Sequence, residues 1–312
     1  MSEAFLSRIR IGTRNSPMAI AFAEITKQAL LAAAPDLTID IGTYVSDGDR
    51  IAGSLAPYGG KGTFVKDLEQ RLLSGEIDLA VHSLKDVPGD VPMHEDLAIG
   101  AYLKRHDPRD CLVLRGGVGE ADLSRAGARI GTSAPRRQAA LRLLLPHASC
   151  ELIRGNVNTR LRKLDEGQYD ALVLAGSGLS RLGMESRISR YLSAEEMLPA
   201  IGQGIMCLQV RRADMGRMPA LAKVNDAHAS YCAAAEREIL HILKGNCHSA
   251  IAGLCEMNGQ TQVARLRAMV FDPAGGVVLA AEEEQSILQT KGAALGARVA
   301  ASLLAQGAAG LL

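Results

Sequence analysis

Apolar positions along this chain switch repeatedly between two periods. Arg8–Thr13, Leu79–Val81, Ala128–Thr132 and Ala171–Leu174 are short, largely apolar runs without strict alternation. Such runs suit strands of a parallel sheet buried on both faces. Met18–Ala34, Val65–Ser74, Arg136–Leu145 and Thr159–Glu166 carry the longer helical period. Two stretches echo each other. Ile11-Gly12-Thr13 and Ile130-Gly131-Thr132 each precede a hydroxyl residue for an N-cap and a proline for a first helical turn, Ser16-Pro17 and Ser133-Ala134-Pro135. Further on, Gly75-Glu76-Ile77-Asp78 and Gly167-Gln168-Tyr169-Asp170 each close a helix ahead of an apolar strand. The pattern predicts two α/β lobes of one plan, facing each other across a cleft, with ligands at the C-terminal ends of the strands.

The lobes are expected over residues 1–105 with 202–218, and over 106–201. The turn His106–Asp110 suits the crossing, Leu198–Gly204 the return, and the strand Ile205–Val210 a rejoining of the first sheet. Residues 219–312 change character. A helix over Ala227–Leu243 precedes strands at Ala250–Glu256, Val263–Phe271 and Val277–Ala281, with a hairpin turn at Asp272–Gly276 and a last helix over Thr290–Ala305. That predicts a small α+β third domain with a three-stranded antiparallel sheet.

Of the 312 residues, 47% are apolar and 22% charged, which is ordinary for a soluble α/β protein. Net charge is +1 and aromatics are 3% with no Trp, so no nucleic-acid partner is expected, and any anion site must be local. Neither a signal peptide nor a bilayer-length apolar run is evident. The expectation is a cytoplasmic protein with no membrane partner. The six cysteines form no Cys-x-x-Cys pair, and His241, Cys247, His248 and Cys255 match no common zinc spacing, so reduced thiols and no metal are expected.

Chemistry gathers at the strand ends. Arg136-Arg137 opens a helix after a strand–Gly–Thr–Ser lead-in, where free N–H groups and guanidinium together favour an anion. Arg14 and Ser16 repeat the arrangement, although Ser16 alone reads as a cap. Arg154, Arg160 and Arg181 flank similar ends and could surround a ligand with several carboxylates. In His82-Ser83-Leu84-Lys85-Asp86-Val87-Pro88, Asp86 is the sole acid amid these cations, placed to steady a transient cation or accept an N–H proton. Gly59–Phe64 lacks the phosphate-loop spacing; around Lys61 it is either a mobile cover for the cleft or a plain connection. Cys247, in Lys244-Gly245-Asn246-Cys247-His248, has cationic neighbours that favour thiolate.

These segments, in this order, resemble the porphobilinogen deaminase (hydroxymethylbilane synthase) family. The resemblance is carried by Ile11–Pro17, Gly59–Phe64, Ala80–Pro88, Asp107–Asp110, Arg154–Arg160, Leu198–Gly204 and the Cys247 turn. It implies α/β architecture with two similar doubly wound lobes, periplasmic-binding-protein-like of type II, and a third domain bearing the cysteine. It further implies a monomeric transferase that condenses four porphobilinogens head to tail, loses four ammonias and releases hydroxymethylbilane by hydrolysis. The chain grows on a dipyrromethane cofactor joined by thioether to Cys247. The resemblance gives catalytic roles to Asp86, Lys85 and Arg14. It places the cofactor against Ser83, Lys85, Asp86, Thr132, Ser133, Arg136, Arg137, Arg154 and Gly155. Substrate carboxylates fall to Arg14, Ser16, Arg154, Arg160 and Arg181, and a lid to Lys61 and Phe64. Two departures stand out. Ala134 and Pro135 replace the family's second Ser and its Leu, removing a hydroxyl worth about 0.5–1.5 kcal/mol. Lys244 and Asn246 alter the usual Glu-Gly-Gly-Cys, and Asn246 is expected to need a turn geometry that Gly adopts more easily. A divergent paralogue acting on a modified pyrrole, or a non-catalytic anion-binding protein on the same lobes, are the alternative readings.

Overall fold

The computed structural model describes residues 5–45, 62–246, 249–272 and 276–312, with 62–64 by backbone alone. Cys247 and Lys61 lie outside the described residues, as does the side chain of Phe64.

The first sheet holds β1 (Arg8–Arg14), β2 (Thr38–Tyr44), β3 (Leu79–Ser83), β4 (Leu97–Tyr102) and β10 (Met206–Arg211), in the order β2-β1-β3-β10-β4. The second holds β5 (Asp110–Leu114), β6 (Arg129–Thr132), β7 (Ser149–Leu152), β8 (Ala171–Ala175) and β9 (Arg190–Tyr191), in the order β7-β6-β8-β5-β9. The two plans coincide. In each, the first strand of the lobe's αβ unit lies parallel between its two successors, and one antiparallel strand follows. That antiparallel strand is the one reached by crossing between the lobes: β5 on the way out, β10 on the way back. This is the α/β, doubly wound, type II architecture expected.

The sequence echo has a physical cause. Gly75 and Gly167 both take φ near the left-handed region, 75° and 76°, ending their helices where a side chain would be strained. The aspartate that follows then turns back on the first strand. Asp78 accepts from the Arg10 amide at 3.0 Å, and Asp170 from the Arg129 amide at 2.9 Å. Each carboxylate thereby fixes the register of a strand whose far end carries the site.

Helix α1 (Pro17–Ala33) is capped by Ser16, whose Oγ accepts from the Ala19 amide, and it buries Phe22, Ala23, Thr26 and Leu30 against Ile9 and Ile11. Helices α2 (Gly62–Leu73), α3 (Pro135–Leu144), α4 (Val157–Asp165) and α5 (Gly176–Arg181) follow. After α6 (Pro219–Val224), the last domain sets α7 (Ala227–Leu243) and α8 (Gly292–Ala305) against the antiparallel sheet β11-β12-β13 (Ile251–Asn258, Val263–Phe271, Val278–Ser286). β13 runs past the expected Ala281 through three glutamates. Its charged face is tolerated because Arg265 on β12 pairs across the ladder with Glu282 at 2.6 Å.

Buried ionic contacts fasten this domain to both crossings. Arg105 Nη1 lies 2.5 Å from Glu236 Oε1 on α7, and the same carboxylate accepts from the Gly202 amide at 2.7 Å and the Cys255 amide at 2.8 Å. No helix among the described residues is long and apolar enough to cross a membrane.

Candidate active site

Arg14 ends β1, Ser83 ends β3, and Thr132 ends β6. Lys85 and Asp86 lie in the 3₁₀ turn Leu84–Asp86 directly after β3, both half-buried. Ser133 leads into α3. Arg154 and Gly155 bridge β7 to α4 and are exposed, whereas Arg160 on α4 and Arg181 at the end of α5 are half-buried. All these positions fall at the C-terminal mouths of the two sheets, as α/β topology requires.

Gly155 holds φ at 107°, and a Cβ there would stand 2.7 Å from Thr159 Cγ2. The turn lets Asn156 cap α4, accepting from the Thr159 amide at 2.9 Å, and aims Arg160 Nε at the Gly155 carbonyl at 2.8 Å. Burial pushes the Arg160 guanidinium down to about 10; Arg137 and Arg154 push the same way and Asp86 pulls back. Asp86 of the first sheet and the arginines of the second therefore share one electrostatic field. Arg181, lowered to about 10 by burial, donates to the Gly204 carbonyl at 2.6 Å and lies 4.9 Å over the Phe22 ring. It spans from the second lobe to the return crossing and the first lobe's α1.

Arg136 and Arg137 sit differently from the expectation of two cations awaiting an anion at an open helix start. Their guanidiniums run back beneath α3, only 3% and 6% exposed, onto Asp110 at the head of β5. Arg136 Nη2 is 2.6 Å from Asp110 Oδ2, and Arg137 Nη2 is 2.9 Å from Oδ1. Burial opposes the Asp110 charge, but the two arginines and the Gln203 amide outweigh it and hold the carboxyl at about 2. Asp86 is thus not the only acid among these cations. Asp110 is wholly buried and saturated by its partners, whereas Asp86 is half-buried.

Three buried polar atoms here have no protein partner among the described residues: Thr132 Oγ1, Arg136 Nε and Arg181 Nε. Ala134, at the N-cap of α3, supplies no side-chain bond. Near the thiol, the left-handed residue is Lys244 (φ 55°), not Asn246; the Asn246 amide instead donates to Ser249 Oγ at 3.1 Å. The left-handed turn expected of Asn246 is made two residues earlier, at the helix C-cap Lys244.

Sequence reasoning missed Asp110 and Gln203. An acid heading the otherwise apolar run Cys111–Leu114 was the available signal for Asp110.

His82 sits behind the Asp86 turn, with Nε2 2.9 Å from Gln209 Oε1, while Gln209 Nε2 donates to Glu69 Oε1 at 2.8 Å. That order fixes the proton on His82 Nε2. Burial pushes its pKa down from 6.5 to about 4, against the Gln209 bond and the Asp86 charge. Between these values the unfolded chain binds a proton the native one does not. Stability is therefore complete above about pH 6.5 and falls as pH drops toward about 4, by on the order of 3 kcal/mol. His82→Gln is expected to flatten the urea midpoint between these pH values; an unchanged slope would assign the effect elsewhere.

Fold and site define a two-lobed α/β protein that gathers several guanidiniums, together with the half-buried carboxylate of Asp86, at the C-terminal ends of its strands. Residues 9–218 match "Porphobilinogen deaminase, dipyromethane cofactor binding domain", and residues 230–305 match "Porphobilinogen deaminase, C-terminal domain". The chain belongs to the porphobilinogen deaminase family. It is 44% identical over 300 residues to porphobilinogen deaminase 2 of Streptomyces coelicolor, covering 96% of this chain and 95% of that one. It is 42% identical over 305 residues to porphobilinogen deaminase of Acidithiobacillus ferrooxidans, covering 97% of each. Among solved structures it is similar to the periplasmic VFT2 domain of Bordetella pertussis BvgS (16% identity, TM-score 0.41, 74% of this chain and 93% of that one). It is also similar to the aliphatic sulphonate binding protein SsuA of Escherichia coli (12%, TM-score 0.39, 75% and 70%).

Proposed function

We propose that this chain condenses four porphobilinogens head to tail, releasing four ammonias, and frees hydroxymethylbilane by hydrolysis, with Asp86 as its central carboxylate and Cys247 as the cofactor's attachment point. The observation that carries the residue assignment is the shared field of Asp86, Arg137, Arg154 and Arg160, contributed from both sheets.

Dipyrromethane carries acetate and propionate groups, and Thr132 Oγ1 and Arg136 Nε, which have no partner among the described residues, are donors suited to them. Ser83, Ser133, Arg137, Arg154 and Gly155 complete the set that would hold it. When bound, it supplies the pyrrole carbon at which the oligomer grows. Asp86 offsets positive charge on pyrrole nitrogen as ammonia leaves and accepts the N–H hydrogen bond. Lys85 and Arg14 stand at the ends of neighbouring strands to orient carboxylates beside it. Arg160 and Arg181, lowered to about 10, stay charged at neutral pH, and their partial desolvation strengthens each bond to carboxylate. Ser16 Oγ accepts from its own helix, leaving its O–H to donate to substrate. A cytoplasmic monomer without nucleic-acid partners, divided at the boundaries given above, is part of the proposal; the net charge of +1 and the few aromatics support it.

The test is the intact mass of protein purified from a haem-making host. A two-pyrrole adduct that colours Ehrlich's reagent is expected, and Cys247→Ser should show only the unmodified mass. An unmodified wild-type mass with no colour would overturn the reading. The bare Ala134 cap favours one alternative, a paralogue for a modified pyrrole; an adduct present with negligible turnover of porphobilinogen would support it.

A further inference from the structure

Gln203 lies in the return crossing between the lobes, with no exposed surface. Its side-chain amide is saturated. Nε2 donates to the Pro108 carbonyl at 2.7 Å and to Asp110 Oδ1 at 2.8 Å. Oε1 accepts from Lys85 Nζ at 3.1 Å and from Arg137 Nη2 at 3.4 Å. Two donors and two acceptor positions are the full capacity of a primary amide. Its orientation is fixed by charge. Reversed, it would face its NH₂ against two cations and its oxygen against a carbonyl and a carboxylate. The backbone is held as well, since the Gln203 carbonyl accepts from Arg105 Nε at 2.9 Å.

These partners belong to different parts of the molecule. Lys85 adjoins Asp86 on the first lobe, Pro108 lies in the outward crossing, and Asp110 and Arg137 form the buried ionic centre of the second lobe. We infer that Gln203 is a positioning residue, a neutral clasp that sets where Lys85, and with it the Asp86 turn, stands relative to the second lobe's arginines. Neutrality matters here. Its oxygen serves two cations, yet its nitrogen can rest on Asp110, which a glutamate in its place would repel.

This rests on the reaction proposed above. Two substitutions separate the clasp from general packing. Gln203→Asn keeps a donor for the Pro108–Asp110 side but is one methylene too short to reach Lys85. Gln203→Met keeps the volume and loses every polar contact. Both variants, isolated with the adduct verified by mass, are expected to lose roughly 10–100-fold in kcat per loaded enzyme, with KM within about twofold of wild type. The asparagine variant should also keep nearly the wild-type melting temperature. A stably folded, loaded Gln203→Asn enzyme with wild-type kcat would overturn the inference, as would a loss appearing only in KM. If Gln203→Met fails to fold, the asparagine variant decides. Absence of the adduct from wild-type protein would instead sink the proposed function, so the two failures are distinct.

Discussion

Asp86→Ala is expected to lower kcat by about 10²–10⁴-fold while the protein still carries its adduct. The carboxylate occupies a 3₁₀ turn at the end of β3, and its charge is felt by His82 on the same strand, by Cys207 on β10 and by Arg160 on the facing lobe. Among the described residues of that field it is the half-buried carboxylate, whereas Asp110 is wholly buried and already bonded to Arg136, Arg137 and Gln203. A cation developing in the cleft would otherwise meet an array of guanidiniums, so removing Asp86 strips stabilisation from the transition state while leaving the arginines free to bind carboxylates. KM should therefore change less than kcat. Attachment of the primer happens once per protein lifetime. A step slowed by about 10⁴ from an ordinary turnover of about 10 s⁻¹ still completes within an hour, so the adduct survives the substitution. Asp86→Asn keeps the shape without the charge and should fall in the same range. Steady-state assay beside intact mass checks this, and an active, loaded Asp86→Ala enzyme would remove the carboxylate from the mechanism.

What could be read before coordinates follows from the range of the forces involved. Strand–helix alternation, the cap at Ser16, and the helix-ending glycines 75 and 167 are local, and they place Arg14, Ser83, Asp86 and Thr132 at strand ends without reference to distant residues. The direction of a long side chain is not local. Arg136 and Arg137 were legible as a pair at a helix start, but that they fold back onto Asp110 depends on how β5 lies against β8. Gln203 and Lys85 are 118 positions apart, and Arg105 and Glu236 are 131 apart. No periodicity links such partners; Gln203 meets Lys85 because the chain returns between the lobes, and Arg105 meets Glu236 because the last domain packs on the crossing. β13 continues past the expected Ala281 through three glutamates, and the arginine that pairs with Glu282 sits on the neighbouring strand.

Those long-range contacts carry the second large effect. Asp110→Ala is expected to cost about 3–5 kcal/mol of stability, lowering the melting temperature by on the order of 10 °C. The mechanism is the stranding of charge. Asp110 has no exposed surface, and its two oxygens neutralise Arg136 and Arg137, themselves 3% and 6% exposed. Without it, two guanidiniums remain in the interior, bonded among the described residues to the Leu198 and Val173 carbonyls and the Gln203 amide oxygen. The pH dependence has a definite sign. The carboxyl is held at about 2 against an ordinary 3.8, so its contribution is complete above about pH 3.8 and disappears as pH falls toward 2. The buried ions are not stabilising in themselves. Replacing all three with apolar residues of similar volume, Asp110→Leu with Arg136→Met and Arg137→Met, should restore most of the lost stability while abolishing cofactor loading. Urea midpoints and intact masses of the single and triple variants separate the two roles. A single variant as stable as wild type would show that the arginines find other compensation, and a triple variant that still loads its primer would show that they do not hold it.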